Sequence, residues 1–290
     1  MKKLAIIVDS SAGLTLEEQA EIKDLFVAPL SIIHDNKEYI DQIDITVEEI
    51  QDILSRNELI KTSQPSVGVA LELYEKIQAL GFDDILVISL SSRLSGTFNS
   101  FSAAADALPN NNVVIIDTMT LASPVVESIK VARALYAKNP DMVELKKSMD
   151  EYFKHTVSYV IPENLDQLKA SGRISAGAAA VASLLRMKVL LRLANHGETI
   201  EKFATGRTEK KLVTAMFDDI SQSDFNPEED MFGILHSMSE DRALALKKHV
   251  EALYPGVDIY MSFLPAALSG HAGNGTIVFQ WFGNSKKYTN

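Results

Sequence analysis

Three short, almost entirely apolar runs constrain the fold more than any other feature of the chain. They are Leu4–Val8, Ile85–Leu90 and Val113–Ile116. Strands that read as continuous apolar runs are typical of a parallel sheet whose two faces are both covered by helices. Between the first two runs, capping-box sequences at Thr15–Glu18 and Thr46–Glu49 predict helix starts. The pattern therefore predicts parallel βαβ units in the first half of the chain.

The remaining elements of the first half follow from the same periodicity. One further strand is predicted at Val27–Ile33. Four further helices are predicted at Ser66–Leu80, where Ser66 is the N-cap, and at Thr97–Leu108, Ser123–Lys138 and Met142–Lys154.

The second half of the chain has a different pattern, in which hairpins are mixed with helices. Met187–Leu193 and Thr199–Thr205 flank the turn-forming residues Asn195–Glu198, which predicts a β-hairpin. We therefore predict an α/β fold with two domains, an α/β/α domain around a parallel sheet at 1–155 and an α+β domain with a mixed sheet at 156–290. Other strands are predicted at Val157–Ile161, Phe232–His236, Asp258–Phe263 and Thr276–Phe282, and helices at Glu163–Ser171, Ala176–Leu185, Glu209–Ser221 and Glu240–Ala252.

The composition excludes several classes of function. The chain has no cysteine, which rules out disulfides, thiolate catalysis and cysteine-ligated metal sites. Its formal net charge of -11 argues against sequence-independent nucleic-acid binding and against docking on anionic lipid through a polybasic patch. No uncharged apolar run reaches the roughly 18 residues that a membrane-spanning helix needs, so we expect no integral membrane segment and a cytoplasmic location.

Four polar loops lie where ligands bind in α/β proteins, beyond strand ends or beside helix starts. They are Asp9–Ser11, Thr62–Ser66, Ser91–Thr97 and Leu268–Gly275. Serine, threonine and aspartate are also ordinary helix N-caps, so each of the first three loops has a purely structural alternative. The fourth is predicted to be a glycine-rich loop between two strands, and its His271 has a structural alternative as well.

Two arginines are further candidates for contacts with an anionic group. Arg173 lies at a break between two predicted helices, and Arg207 precedes another helix. Arginine contacts phosphate groups and acidic partners, although arginines at helix ends are often simply solvated.

Standard catalytic motifs are absent from the sequence. It has no G-x-x-x-x-G-K-[ST] nucleotide loop, no G-x-S-x-G nucleophile elbow and no H-E-x-x-H metal site. The glycines of Gly270–Gly275 do not match a dinucleotide fingerprint, because they are expected between two strands. We therefore predict no catalytic residue, no metal and no cofactor, and we favour a binding protein.

Five segments of the chain form a set with a characteristic order and spacing: Asp9–Leu14, Thr62–Ser66, Ser92–Thr97, Ser171–Ser175 and Gly270–Gly273. Taken together, they resemble the DegV family of bacterial lipid-binding proteins. Their order and spacing match that family over almost the whole chain, and Thr62–Ser66 and Ser92–Thr97 are specific in combination.

The resemblance implies a fold and a ligand. It implies two α/β domains with a long-chain fatty acid in a buried tunnel, which the second domain completes. It also implies that the carboxylate of the fatty acid is held by the second and third segments, with the loop histidine nearby. The residues that it assigns to this head-group site are Thr62, Ser63, Ser95, Gly96 and His271.

The resemblance implies a partner as well. Members of the family act as the acyl-binding subunit of a fatty-acid kinase, whose separate ATP-binding subunit phosphorylates the carboxylate for phospholipid synthesis. By the same analogy Arg173 and Arg207 face that partner. The chain departs from the family where Leu121–Pro124 replaces a glycine-rich helix start, where Met187–Val189 replaces Ile-Lys-Pro, and where Asn274 replaces a proline.

Two other interpretations are open at this point. A self-contained hydrolase or phosphotransferase would use Ser95 as nucleophile, His271 as base and Asp9 as a third member. A sensor with the same fold would bind another small molecule. A lipid carrier is physically well founded, because burial of an acyl chain contributes ~0.8 kcal/mol per methylene, and the buried carboxylate then requires hydrogen bonds.

Overall fold

The first half of the chain is built on a parallel sheet of four strands. The structure is a computed structural model that describes residues 2–108, 112–180, 187–194 and 199–289. Each pairing in this sheet is parallel, as the apolar runs predict. In sheet order the strands are β2 (Leu25–Ala28), β1 (Leu4–Asp9), β6 (Asp84–Ser89) and β7 (Val113–Asp117).

Helices cover both faces of this sheet, which explains why its central strands are apolar throughout. Successive side chains of a strand point to opposite faces. The even-numbered side chains of β1, such as Ile6, pack with one pair of helices, and the odd-numbered ones, such as Ile7, pack with the other pair. The first pair is α5 (Ser123–Lys138) and α6 (Met142–Lys154), and the second pair is α3 (Val67–Ala79) and α4 (Thr97–Asp106).

Two short helices precede α3, and both begin at the predicted capping boxes. In α1 (Leu16–Glu21) the N-cap Thr15 exchanges hydrogen bonds with Glu18, and in α2 (Val47–Ser55) Thr46 and Glu49 do the same. Each box satisfies two amides that a helix start would otherwise leave without a partner.

The prediction of one strand at Val27–Ile33 is wrong. The segment forms two strands in different sheets, because β2 ends at Ala28 and Pro29 has no amide hydrogen with which to continue the pairing. The chain then enters a small antiparallel sheet of three strands. In sheet order these are β4 (Lys37–Ile40), β3 (Ser31–His34) and β5 (Lys61–Ser63).

The second half of the chain contains a mixed sheet of six strands, as predicted. The pairing of β11 (Asp230–His236) with β12 (Asp258–Phe263) is parallel, and the other pairings are antiparallel. Two helices, α9 (Glu209–Ser221) and α10 (Glu240–Leu253), pack on this sheet over an aromatic core that includes Trp281. In sheet order the strands are β10 (Thr199–Gly206), β9 (Lys188–Ala194), β8 (Thr156–Ile161), β13 (Ile277–Gly283), β11 (Asp230–His236) and β12 (Asp258–Phe263).

The predicted hairpin is confirmed by the antiparallel pairing of β9 with β10. Its turn residues, Asn195–Glu198, lie outside the described residues. Between β8 and β9, the part of the chain that the structure describes forms two short helices, α7 (Asp166–Ser171) and α8 (Ala176–Ala179). The predicted continuation of α8 to Leu185 also falls on residues that the structure does not describe.

The prediction of a loop at Leu268–Gly275 is wrong for most of its length. A helix, α11 (Ala266–Ala272), occupies this segment, and the loop begins only at Gly273, which has a positive φ of 83°. Pro265 precedes the helix and Gly273 follows it, an arrangement that favours a helix between them. The chain closes with α12 (Lys286–Thr289).

The predicted fold class, an α/β protein with a parallel first sheet and a mixed second sheet, is confirmed. The division into 1–155 and 156–290 stays a prediction. Among the described helices, none is both long enough and apolar enough to cross a bilayer.

Candidate functional site

A narrow cavity lies where the carboxyl end of the parallel sheet, the small sheet and α11 meet. The cavity has a volume of about 80 Å³. Most lining side chains are aliphatic: Leu30, Leu90, Leu94, Leu121, Val160, Leu168, Ile200, Leu264, Ala267, Leu268, Ala272 and Val278. The polar lining side chains are Ser11, Thr62, Ser95, Arg173 and His271.

Asp9 joins two of the loops that surround the cavity. It ends β1, and its carboxylate accepts a hydrogen bond of 3.0 Å from the amide of Leu90. The same carboxylate accepts the amide of Ser11 at 3.1 Å and the hydroxyl of Ser11. Burial raises the pKa of Asp9, and these hydrogen bonds oppose the rise. Because Leu90 and Ser11 both line the cavity, this carboxylate shapes one of its walls.

A second buried carboxylate, Asp41, stands behind the same wall. It accepts a hydrogen bond of 2.6 Å from the hydroxyl of Ser10, which in turn accepts the amide of Leu30 at 3.0 Å. Burial raises the pKa of Asp41 to about 6, and the negative charge of Asp9 adds a smaller rise. One oxygen of Asp41 has no hydrogen-bond partner among the described residues. Asp41 is therefore a buried acid whose charge changes near pH 6.

Thr62 and His271 both line the cavity and contact each other. Thr62 lies on β5 and His271 in the last turn of α11, and Oγ1 of Thr62 is 2.7 Å from Nε2 of the ring. Burial, with a smaller contribution from the positive charge of Arg173, lowers the pKa of His271 to about 4. The ring is therefore neutral near pH 7 and carries a single proton. Its Nδ1 is buried and has no hydrogen-bond partner in the described part of the chain.

Ser95 lies immediately before the start of α4. Its Oγ is 2.9 Å from Oγ1 of Thr97 and accepts the amide of Thr97 at 3.3 Å. Gly96 is the N-cap residue of α4 and offers no side-chain hydrogen bond to the helix. The hydroxyl of Ser95 is thus close to the positive end of a helix, a position that suits an anionic group.

Ser63 and Gly96, both predicted contact residues, are not among the residues that line this cavity. The hydroxyl of Ser63 donates to the carbonyl of Gln64 at 3.4 Å. Gly96 allows a close approach between its loop and the loop of Thr62, because a Cβ at Gly96 would lie 2.8 Å from the side-chain nitrogen of Gln64. The role of Ser63 and Gly96 as carboxylate ligands stays a prediction.

The two predicted partner-facing arginines lie in different surroundings. Arg173 lines both the cavity and a groove on the surface just outside it. Its Nη1 donates to the carbonyl of Ser171 at 2.5 Å, and its Nε donates to the carbonyl of Leu94 at 3.4 Å. Arg207 is exposed beside Thr208, the N-cap of α9, and lines neither space. A charge change at Arg173 would therefore act on the cavity as well as on the surface, whereas one at Arg207 would act on the surface.

The hydrogen bonds of the described residues do not assemble a catalytic triad from Ser95, His271 and Asp9. His271 pairs with Thr62, and Ser95 pairs with Thr97. Asp9 accepts its hydrogen bonds from its own loop and from a backbone amide across the sheet. The arrangement supplies hydrogen-bond donors in the lining of a mostly aliphatic cavity and favours binding over nucleophilic catalysis.

Sequence reasoning missed several residues of the site. Thr97 belongs to the predicted polar loop Ser91–Thr97, but no contact with the ligand or with Ser95 is predicted for its side chain. Asp41 carries no sequence signal, because a single aspartate after a strand is ordinary. The apolar wall from α11 was missed because the segment was predicted to be a loop, although Pro265 and Gly273 mark the bounds of a helix.

Within the described ranges, one group of side chains with donor atoms close enough to hold a metal ion lies outside the cavity. His34, Asp35 and Glu58 each place one donor atom within 4.8 Å of the other two. Glu58 already pairs with the ring of His34 at 2.6 Å and with Nε of Arg56 at 2.8 Å. We interpret this group as an ion-pair cluster that holds the end of the β3–β4 hairpin.

The chain is similar to proteins of one family over almost its full length. A family model described as an uncharacterised protein of the DegV family matches residues 3–284. A DegV domain-containing protein of Listeria innocua is 31% identical over 286 residues, which cover 97% of this chain and 99% of the relative.

Solved structures also match, and two of them serve as examples. DegV of Bacillus subtilis, described as a fatty acid binding protein, aligns with a TM-score of 0.84 and 25% identity, covering 98% of this chain and 100% of that one. A DegV family protein of Thermus thermophilus, described by its fatty acid binding, aligns with a TM-score of 0.86 and 25% identity, covering 97% of this chain and 99% of that one.

Proposed function

The chain belongs to the DegV family, and on that premise we propose that it binds one long-chain fatty acid in the cavity. We further propose that it presents the carboxylate to a partner, an ATP-dependent fatty-acid kinase subunit that forms the acyl phosphate. The chain itself then performs no chemistry. The observation that carries the proposal is a cavity whose lining is mostly aliphatic and also includes the hydroxyls of Thr62 and Ser95.

The aliphatic walls account for the affinity. Each methylene of an acyl chain that leaves water contributes ~0.8 kcal/mol, so a long chain binds tightly without any charge on the protein. The cavity is narrow, and its aliphatic lining comes from several different elements. We therefore expect lining side chains to move apart when the acyl chain enters.

The hydroxyls account for the head group. A carboxylate that is buried without hydrogen bonds is very unfavourable. Thr62 and Ser95 line the cavity and supply hydroxyl donors for it. If the proton of His271 is on Nε2, the ring donates to Thr62, and the hydroxyl proton of Thr62 is left for the ligand. Neutral donors hold the carboxylate without a tight ion pair, which leaves one of its oxygens available to a phosphoryl donor.

The first experiment tests the ligand and the head-group site. The purified protein is extracted with organic solvent, and the extract is analysed by mass spectrometry; we expect one fatty acid per chain. Thr62→Ala and Ser95→Ala are expected to weaken fatty-acid binding. Unchanged affinity in both variants would contradict the assignment, and turnover of an activated ester without any partner would favour a self-contained enzyme instead.

The second experiment tests the partner. Because Arg207 is exposed and lies outside the cavity lining, Arg207→Glu is expected to abolish acyl-phosphate production by an added kinase subunit while fatty-acid affinity is retained. Arg173→Glu is expected to impair both, because Arg173 also lines the cavity. Arg207→Lys serves as the charge-preserving control, and full kinase activity with Arg207→Glu would remove this residue from the interface.

A further inference from the structure

We infer that Thr97 is a positioning residue of the head-group site, whose hydroxyl donates to Ser95 and thereby directs the proton of Ser95 towards the ligand carboxylate. The inference rests on the proposed binding of a fatty acid in this cavity. Thr97 is fully buried at the first position of α4 and does not line the cavity, so it acts on the ligand only through Ser95.

The distances define a pair of contacts between the two residues. Oγ1 of Thr97 is 2.9 Å from Oγ of Ser95, and the amide of Thr97 donates to the same oxygen at 3.3 Å. A hydroxyl oxygen has one proton and two lone pairs. If Thr97 donates through both its amide and its hydroxyl, both lone pairs of Ser95 are occupied, and its proton is free for another acceptor.

Burial determines which of the two hydroxyls is the donor. Thr97 is enclosed by protein, and Ser95 is the hydroxyl partner that the described contacts give it. If Ser95 donated instead, the proton of Thr97 would be buried without that acceptor, which is unfavourable. Ser95 faces the cavity, where a carboxylate accepts its proton. When a ligand is bound, Thr97 therefore donates to Ser95, and Ser95 donates to the carboxylate.

The start of α4 strengthens this chain of hydrogen bonds. Gly96, the N-cap, makes no side-chain hydrogen bond, so no capping side chain stands between the helix end and Ser95. The positive end of the helix favours negative charge nearby. Hydrogen bonds in a chain also polarise one another, so the donation from Thr97 makes Ser95 a better donor to an anion.

Two variants of Thr97 separate the hydroxyl from the shape of the side chain. Thr97→Val keeps the branched shape and removes the hydroxyl, whereas Thr97→Ser keeps the hydroxyl and removes a methyl group. The measured quantity is the dissociation constant for palmitate, and for methyl palmitate, which has no carboxylate. Ser102→Ala is the matched control on the same helix, because Ser102 donates to the carbonyl of Phe98 at 2.9 Å and does not line the cavity.

We expect Thr97→Val to weaken palmitate binding about tenfold, because Ser95 then makes a weaker hydrogen bond to the charged carboxylate. Thr97→Ser is expected to restore most of the affinity, and methyl palmitate is expected to bind wild type and Thr97→Val alike. In a Ser95→Ala background Thr97→Val is expected to add little, because the residue through which Thr97 acts is gone.

Three results would overturn the inference: equal palmitate affinity in the valine and serine variants, an equal loss for methyl palmitate, or additive losses with Ser95→Ala. If Thr97→Val fails to fold, as judged by circular dichroism, Thr97→Ala replaces it, since that variant also lacks the hydroxyl. If the wild-type protein does not bind palmitate at all, the proposed function fails together with this inference. Normal binding by wild type and by Thr97→Val refutes the inference alone.

Discussion

Thr62 and Ser95 present similar hydroxyls to the same cavity, but the protein holds them in different ways. Ser95 contacts Thr97, two positions along the chain, whereas Thr62 contacts His271, which is 209 positions away. The first contact forms as soon as α4 begins, and the second requires α11 to dock against β5. The donor Ser95 is therefore held by a neighbouring residue of the chain, whereas the donor Thr62 is held only when the two halves of the chain have packed together.

The two contacts also differ in their response to pH. Neither Ser95 nor Thr97 titrates in the accessible range, whereas the ring beside Thr62 can take up a proton. His271 stays neutral because burial disfavours its charged form. Of the two contacts, the long-range one is thus the one whose charge changes in acid.

The largest effect is expected when both donors are removed. Thr62→Val and Ser95→Ala should each weaken palmitate binding by ~1.5–3 kcal/mol, and the double variant by about the sum, which exceeds 100-fold. Isothermal titration of the two single variants and the double variant gives the coupling between them. If the double variant binds palmitate as tightly as one of the single variants, only one hydroxyl holds the carboxylate. That result would contradict the view that Thr62 and Ser95 share this role.

The second effect concerns stability and pH at the long-range contact. The pKa of His271 is about 4 in the folded protein and about 6.5 when unfolded, so the unfolded chain binds more protons between these values. Stability from the neutral ring is present above pH 6.5 and is lost as the pH falls through 4, by about 3 kcal/mol in total. We expect urea unfolding of His271→Gln to show a smaller loss over this range than wild type.

Asp41 has the opposite sign and must be separated from His271 in that experiment. Its pKa is raised to about 6, so its protonated form stabilises the fold below pH 4 and this contribution is lost as the pH rises through 6. Asp41→Asn should therefore remove a loss of stability with rising pH, whereas His271→Gln removes a gain. Identical changes of slope in the two variants would contradict these assignments.

A smaller effect should separate the two hydroxyls by changing the docking of α11. A Cβ at Gly270 would lie 3.0 Å from Cγ2 of Ile60, two residues before Thr62. Gly270→Ala is therefore expected to displace α11 from β5 and to destabilise the protein by ~1–2 kcal/mol. Palmitate affinity should fall, and Thr62→Val should then cost less than it does in wild type, while the cost of Ser95→Ala is unchanged.

The control for that variant is Gly68→Ala in α3. A Cβ at Gly68 meets only the Ser66 hydroxyl at 3.6 Å, an ordinary contact, so the substitution is expected to leave palmitate affinity unchanged. If Gly270→Ala lowers the cost of both hydroxyl substitutions equally, the contact of Ser95 with Thr97 also depends on the docking of α11.

The smallest expected effect concerns a strained residue between the two halves. Ala122 has φ 62° and ψ −121°, a conformation that glycine adopts far more readily, and it is fully buried. Ala122→Gly is expected to stabilise the protein by about 1 kcal/mol, because the relief of strain exceeds the flexibility gained by the unfolded chain. Ala132→Gly in the regular part of α5 is expected to destabilise by a similar amount, and thermal unfolding of the pair tests the difference.

Most of the secondary structure could be predicted because it depends on neighbouring residues. The bounds of α5, α6 and α9 agree with the prediction, since apolar periodicity and end signals are local properties. The break at Pro29 and the helix at Ala266–Ala272 were also marked by local signals, a proline in one case and a proline and a glycine in the other. These two errors were errors of interpretation.

The site divides along the same line. The amino-acid sequence was sufficient to place Ser95 beside a helix start and to identify both hydroxyl loops as candidates, because a few adjacent residues specify a loop that begins a helix. The fold was needed to bring His271 to Thr62, to place Arg173 against the cavity and to bury Asp41. Burial, and the pKa values and long-range contacts that follow from it, depend on how distant segments pack, and no local pattern encodes that packing.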